Sequence, residues 1–316
     1  MGLVIGGVWH EREPAAAADG RFLRPQTQFR SRIEVGGPHP PEPGRYRLYV
    51  SLACPWAHRV LIMRALKGLD PMLPVSVTHW LMGPQGWTFD PGEGVVPDPL
   101  YGLRYLHELY TRAVPAYTGR VTVPVLWDSL LGRIVNNESG ELLRILGTGF
   151  DACGARPGDY YPEPLRPEID ALNERIYATL NNGVYKAGFA TTQAAYEEAI
   201  GPLFETLDWL EARLAGRRYL CGERLTEADI RLFTTLVRFD PVYVGHFKCN
   251  LRRLVDYPNL WDYARAIFQL PGIAPTVDFT HIKRHYYMSH GSINPTGIVP
   301  LGPELDFTVP SVRAGG

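Results

Sequence analysis

Lysine is scarce in this chain: Lys67, Lys186, Lys248 and Lys283 are four of 32 basic residues, and the rest are arginine. No charge of either sign is in excess. Lys+Arg is 32 against 33 Asp+Glu, a formal net charge of −1, which excludes a generally basic nucleic-acid binder. Long hydrophobic runs are missing, and stretches such as Val121–Trp127 are strand-sized against the ~18 residues of a membrane span. The apolar start from Met1 to Val8 lacks the basic n-region and long h-region of a secretory signal. Gly6 stands where N-myristoylation needs Ser or Thr, so the expected location is the cytoplasm, with no membrane and no nucleic acid as partner. No Gly-x-Gly-x-x-Gly or Walker pattern is present, so no nucleotide is expected. His246-x-x-Cys249 and His281-x-x-x-His285 have ligand spacing, but without a C-x-x-C pair or an H-E-x-x-H no metal is expected either.

What is present is a globular chain of 316 residues, enough for about two domains. Its 32 Gly and 28 Pro fit a loop-rich fold. Four cysteines lie far apart (Cys54, Cys153, Cys221 and Cys249), and free thiols are the default for such spacing in a cytosolic chain.

Residues 1–44, with the Ala15–Ala18 run and the prolines of 38–43, read as an extended arm ordered by packing on a partner surface. From Arg45 to Leu52 the pattern alternates, with Tyr46, Leu48 and Val50 on one face of a strand. Pro55 suits a first helical position, and Val60, Met63 and Leu66 carry the helix to Lys67-Gly68. Val75–Leu81 is the next strand. Residues 82–119 break the rhythm and read as an insertion with one short helix near Tyr101–Thr111. Val121–Asp128 resumes as a strand with Pro124 inside it, which demands an edge, a bulge or a cis turn. A short strand at Ile134-Val135 and a helix opened by Asn136–Ser139 complete the order β-α-β-(insertion)-β-β-α.

Beyond the linker 154–167 the pattern turns helical. Ile169, Leu172, Ile176 and Leu180 form one apolar stripe, and Leu203, Leu207, Leu210 and Leu214 another. Thr226 with Asp229 three residues on makes a capping-box variant before Ile230, Phe233 and Val237. A final helix is expected over Leu260–Phe268, followed by some 40 irregular, aromatic residues.

Cys54 carries the strongest chemical signal. It stands between a strand and a helix start, where free N–H groups and roughly half a positive charge favour a thiolate. Ala57 occupies the position at which a C-x-x-C dithiol would hold its resolving cysteine. The resolving thiol for a mixed disulfide on Cys54 is therefore expected from outside, as a small molecule; Cys153, Cys221 and Cys249 are alternatives, but no spacing singles one out. Pro124 is the second signal, and Glu138-Ser139 at a helix start, suited to a carboxylate and an ammonium, is the third.

Cys54-Pro55-Trp56-Ala57-His58-Arg59, Val121–Asp128, Asn137-Glu138-Ser139 and Thr226–Asp229 resemble a glutathione transferase. Asn182–Phe189, Phe239–Tyr243, His246–Cys249 and Ile293–Gly297 narrow the resemblance to the glutathionyl-hydroquinone reductases, the Xi class, over roughly residues 45 to 303. The resemblance implies a thioredoxin-like domain over 45–150 and an all-helical domain over 165–280. A C-terminal extension over 281–316 would contribute to the substrate site. It implies a homodimer that reduces glutathionyl-hydroquinones with glutathione as co-substrate. Carried over by motif, Cys54 is the nucleophile. Trp87, Arg120, Val123, Glu138 and Ser139 hold glutathione, Tyr185 and Tyr286 meet the hydroquinone, and Tyr243 lies nearby. The rival readings are a conventional glutathione transferase, a thiol transferase, and a non-catalytic binding protein of the same fold.

Overall fold

The computed structural model describes residues 2–11 and 17–314. It divides into two compact units. One holds the described parts of Met1–Ala15 with Pro25–Gly158 and Thr276–Ser289; the other holds the described parts of Ala16–Arg24 and His290–Gly316 with Asp159–Pro275.

The first unit is built on a four-stranded sheet of order β4-β3-β6-β7, from β3 (Tyr46–Val50), β4 (Val75–Val77), β6 (Val125–Asp128) and β7 (Arg133–Asn136). Strands β3 and β4 are parallel, which requires a crossover, and α1 (Pro55–Leu66) supplies it; the remaining pairs are antiparallel. Leu48, Tyr49 and Val50 are all fully buried, so the strand is covered on both faces rather than on the alternating face alone. The insertion explains this, because Tyr49 donates to Asp98 Oδ1 at 2.7 Å and meets Phe89 edge-on. The insertion carries α2 (Leu106–Ala113), and α3 (Ser139–Thr148) packs on α1.

The extended arm needs two corrections. Gly2–Ile5 (β1) and Val8–Glu11 (β2) form a hairpin, and β1 also pairs with β5 (Gly119–Arg120) in a sheet of order β2-β1-β5. Gly6 and Gly7, at φ of 55° and 85°, make its two-residue turn; positive φ at both positions is what glycine allows without a steric cost. Further on, the chain itself supplies the packing surface expected from a partner. Arg30 Nη2 bonds Glu141 Oε1 at 2.5 Å, Phe29 packs against Tyr110 and Tyr117, and His39 and Arg45 converge on Asp128. Residues 12–16, with the start of the alanine run, lie outside the described residues.

Asp128 is fully buried. Burial works to raise its pKa, but hydrogen bonds from Arg45 and His39 prevail and hold it below the usual carboxylate range.

The second unit is helical: α4 (Arg166–Ile176), α5 (Gly183–Gly188), α6 (Gln193–Arg213), α7 (Glu227–Arg238) and α8 (Pro258–Phe268). Both apolar stripes are buried. Thr226 and Asp229 close the capping box of α7, and the buried Asp229 also accepts from Leu220 N at 2.9 Å and Tyr263 OH at 2.8 Å. Two π-helical turns, Tyr177–Asn181 and Phe239–Tyr243, interrupt the helices, a feature frequent near functional sites.

The end of the chain is less irregular than its composition suggests. Phe279–Ser289 forms a helix, α9, opened by the Asp278 carboxylate, which accepts from His281 N at 2.8 Å. Its buried residues are His281, Ile282, His285 and Tyr286. That face is polar and aromatic, so aliphatic periodicity does not reveal it.

Candidate active site

Cys54 is the N-cap residue of α1, half-buried, with Pro55 at the first helical position. Its carbonyl accepts from His58 N at 2.9 Å, and its Sγ lies 3.6 Å from the carbonyl oxygen of Val123. Val123 precedes Pro124 across a cis peptide bond, which is one of the three outcomes the proline-containing strand allowed. A strand end, a helix start and a cis turn thus bring the thiol of Cys54 to the backbone of Val123.

Helix α3 begins beside α1. Arg59, buried on α1, donates from Nη1 to Ser139 Oγ at 3.3 Å, and its guanidinium lies 4.6 Å from the Trp56 ring centroid. Glu138 is the N-cap of α3, accepting from Gly140 N at 3.3 Å and from Thr27 Oγ1 at 3.1 Å. The helix-start pair therefore has an ordered carboxylate and hydroxyl next to a buried cation. Thr27 belongs to the arm and carries no sequence signal that ties it to Glu138, 111 residues away.

Trp87 is buried in the insertion, with its ring stacked on His285 of α9 at 4.8 Å and 21°. His285 Nδ1 is 2.9 Å from Trp80 O and its ring meets Tyr286 edge-on at 5.3 Å. Tyr286 is buried and belongs to the first unit, as does α9 as a whole. Arg120 lies half-exposed on β5, opposite Leu3 of β1.

Tyr185 and Tyr243 belong to the second unit. Tyr185, half-buried on α5, is ringed by Phe22 at 6.3 Å, Phe189 at 6.2 Å, Tyr243 at 6.3 Å and Phe247 at 5.4 Å. Arg24 lies over its ring at 4.8 Å and donates to Asn182 Oδ1 at 2.8 Å. Tyr243 is fully buried, stacked on Phe247 at 5.5 Å and 8°. Gly188 permits this cluster to close, because a Cβ there would stand 2.1 Å from Phe247 Cδ1. Arg24 and Phe22 come from the arm, and sequence reasoning did not place them here.

Of the remaining cysteines, two are held as thiols by burial. All four are free of disulfides. Burial pushes the Cys221 thiol up to about 11, aided by Asp229 and Glu168, and burial pushes Cys249 up as well. Cys153 is half-buried, its Sγ 3.5 Å from Pro41 O. Among the described residues no cluster of three or more His, Cys, Asp or Glu could hold a metal ion. No helix among them is long and apolar enough to cross a membrane.

Residues 53–148 match the family model of the glutathione S-transferase N-terminal domain, and residues 193–266 that of the C-terminal domain. The glutathionyl-hydroquinone reductase PcpF of Sphingobium chlorophenolicum is 60% identical over 304 residues, covering 96% of each chain. The glutathione transferase Xi of Phanerochaete chrysosporium superposes with a TM-score of 0.90 at 52% identity, over 92% of this chain and 95% of that one. The chain belongs to the glutathionyl-hydroquinone reductases, the Xi class of glutathione transferases. Another member of this class, YqjG of Escherichia coli, has been solved with glutathione bound; it is 53% identical, with a TM-score of 0.91 over 99% of both chains. A glutathionyl-hydroquinone reductase of this architecture joins a thioredoxin-like α/β domain to an all-helical one, and both are present here.

Proposed function

We propose that this chain reduces glutathionyl-hydroquinones to hydroquinones with release of oxidised glutathione, through a mixed disulfide between Cys54 and glutathione. The observation that carries the reading is a lone thiol at the N-cap of α1, 3.6 Å from the Val123 carbonyl, with no second cysteine on the same helix turn. The names of PcpF and YqjG, both glutathionyl-hydroquinone reductases, support the same substrate class.

On this reading the Cys54 thiolate attacks the glutathione sulfur of the conjugate, not the ring. An S–S bond forms and the aryl C–S bond breaks, its electron pair passing to the ring carbon, which takes a proton. The hydroquinone leaves reduced. A second glutathione, as thiolate, attacks the glutathione sulfur of the mixed disulfide, so that oxidised glutathione departs and the Cys54 thiolate returns. Trp87, Arg120, Val123, Glu138 and Ser139 are proposed to hold the glutathione moiety. Tyr185 and Tyr286 are proposed to meet the aromatic product, with Tyr243 behind Tyr185. A cytoplasmic homodimer belongs to the same proposal, and light scattering on the purified chain tests the dimer.

The test of the cycle is intact-mass analysis. Incubation with oxidised glutathione is expected to add one glutathione per chain, at Cys54, and excess reduced glutathione to remove it. An internal disulfide from Cys54 to Cys153, Cys221 or Cys249 during turnover would overturn the monothiol cycle. Conjugation of chlorodinitrobenzene with no turnover of glutathionyl-menadiol would instead favour a conventional transferase.

The tyrosines make a separate prediction. Tyr185→Phe and Tyr286→Phe are expected to slow conjugate reduction by part of the ~10²–10⁴-fold that general acid catalysis supplies. Cleavage of a small aliphatic mixed disulfide should be nearly spared, since its leaving thiolate needs no proton. Equal losses on both substrates would point to damaged glutathione binding, and no loss on either would return the two rings to packing.

A further inference from the structure

The N-terminal hairpin makes contacts that its distance in sequence from the proposed glutathione residues gives no reason to expect. Trp9, on β2, donates from its indole nitrogen to Pro84 O at 2.9 Å. Its ring lies against Gly86, where an added Cβ would stand 2.9 Å from Trp9 Cη2. Gly86 closes a tight turn, with its N–H on Gly83 O at 3.0 Å, and Trp87 is the next residue. The other edge of the indole stack is His107 of α2, at 4.8 Å and 16°, which in turn stacks on Tyr105.

The same hairpin reaches Arg120. Among the described residues strand β5 pairs with β1 alone in its sheet, Leu3 opposite Arg120 and Val4 opposite Gly119. The turn is fastened too, because Gly7 N donates to Tyr117 O at 2.9 Å and Gly6 N to Thr118 Oγ1 at 2.8 Å. Without the hairpin, β5 would have no sheet partner and the turn 83–86 would lose the ring that covers it.

The geometry points to residues 2–11 as a clamp that positions Trp87 and Arg120 together for glutathione, with Trp9 as its principal positioning residue. This rests on reading Trp87 and Arg120 as glutathione contacts. Binding geometry of this kind is sensitive to displacements on the order of 1 Å. None of the hairpin contacts named above involves Cys54, so the thiol's own reactivity is expected to be independent of the clamp.

The experiment titrates the full chain with S-methylglutathione, which presents the tripeptide but no thiol. Trp9→Ala is expected to raise its dissociation constant about tenfold, while the rate of Cys54 alkylation by iodoacetamide stays within about twofold of the parent. Trp9→Phe, which keeps a ring over Gly86 but no N–H, should recover most of the loss. The effect of Trp9→Ala should largely vanish in a Trp87→Ala, Arg120→Ala background. If Trp9→Ala fails to fold, His107→Ala removes the far side of the stack without touching the hairpin and should give the same loss. Unchanged affinity in Trp9→Ala with a weakened Trp87→Ala would overturn the clamp alone. Unchanged affinity in both Trp87→Ala and Arg120→Ala would overturn the glutathione assignments and the clamp with them. Parallel losses of affinity and alkylation rate would show general damage and would also overturn it.

Discussion

Cys54→Ala is expected to lower turnover of a glutathionyl-hydroquinone by on the order of 10³-fold or more, because removing a covalent nucleophile leaves only binding and positioning to act. The protein should remain folded. Cys54 caps α1 without a side-chain hydrogen bond to the helix, and its backbone bonds, accepting from His58 N and donating to Ser51 O, survive the substitution. Glutathione should still bind the variant, since the residues proposed to hold it are untouched. The measurement is single-turnover release of hydroquinone, followed with calorimetric binding of glutathione. Turnover near that of the parent would refute the mixed-disulfide mechanism outright. Cys54→Ser adds a second arm: a conventional transferase chemistry, which activates bound glutathione with a hydroxyl, would tolerate or gain from that change, whereas disulfide exchange would not.

The largest effect on stability is expected at Asp128. Arg45 donates to it from Nε at 3.0 Å and from Nη2 at 2.6 Å, His39 Nδ1 lies at 2.8 Å, and Leu130 N and Leu131 N donate to Oδ1 at 3.0 and 3.1 Å. The side chain of Arg45 is only 7% exposed. Asp128→Asn removes the buried negative charge and leaves that guanidinium only the longer contact to the exposed Glu42 Oε2 at 3.4 Å as a counterion, so the loss should approach the ~3–5 kcal/mol of a broken buried pair. The pH dependence follows from the direction of the shift. The folded-state pKa of Asp128 lies below the unfolded value, so its contribution is complete above the unfolded carboxylate range near ~3.9 and disappears as pH falls through the lower, folded value. Urea unfolding of parent and variant should therefore differ most at neutral pH and converge in acid. A difference that did not change with pH would show that shape, not charge, is what Asp128 contributes.

The parts of this fold legible in the sequence are those with local causes. Pro55 marks the start of α1 and Lys67-Gly68 its end, and the helix runs over Pro55–Leu66. The capping pair Thr226 and Asp229 marked α7 correctly. The hairpin was legible in principle, since Gly6-Gly7 between short apolar runs is a two-residue turn signal; four-residue strands are simply too short to establish a period. Helix α9 was hidden for a different reason, because its buried face consists of His281, Ile282, His285 and Tyr286 rather than aliphatic residues. In the candidate site, Cys54, Pro124 and Glu138-Ser139 announce themselves through helix starts and a proline in a strand. Thr27, Trp9 and His285 do not, because each meets its partner across a long stretch of chain and nothing local requires the meeting.

The chain visits the two units alternately. It enters the second with residues 17–24, returns for Pro25–Gly158, leaves again for Asp159–Pro275, comes back with Thr276–Ser289 and ends in the second. Neither unit is therefore a contiguous stretch that could be excised. A fragment ending at Gly158 would carry Cys54, Trp87 and Ser139 but not α9, and so would lose His285 from the face of Trp87 and Ser289 Oγ from Met82 N. A fragment starting at Asp159 would lose Arg24 from above Tyr185. Fusion partners, affinity tags and proteolytic sites are best kept out of the interior of the chain, because each of its two folding units is assembled from separated stretches of it.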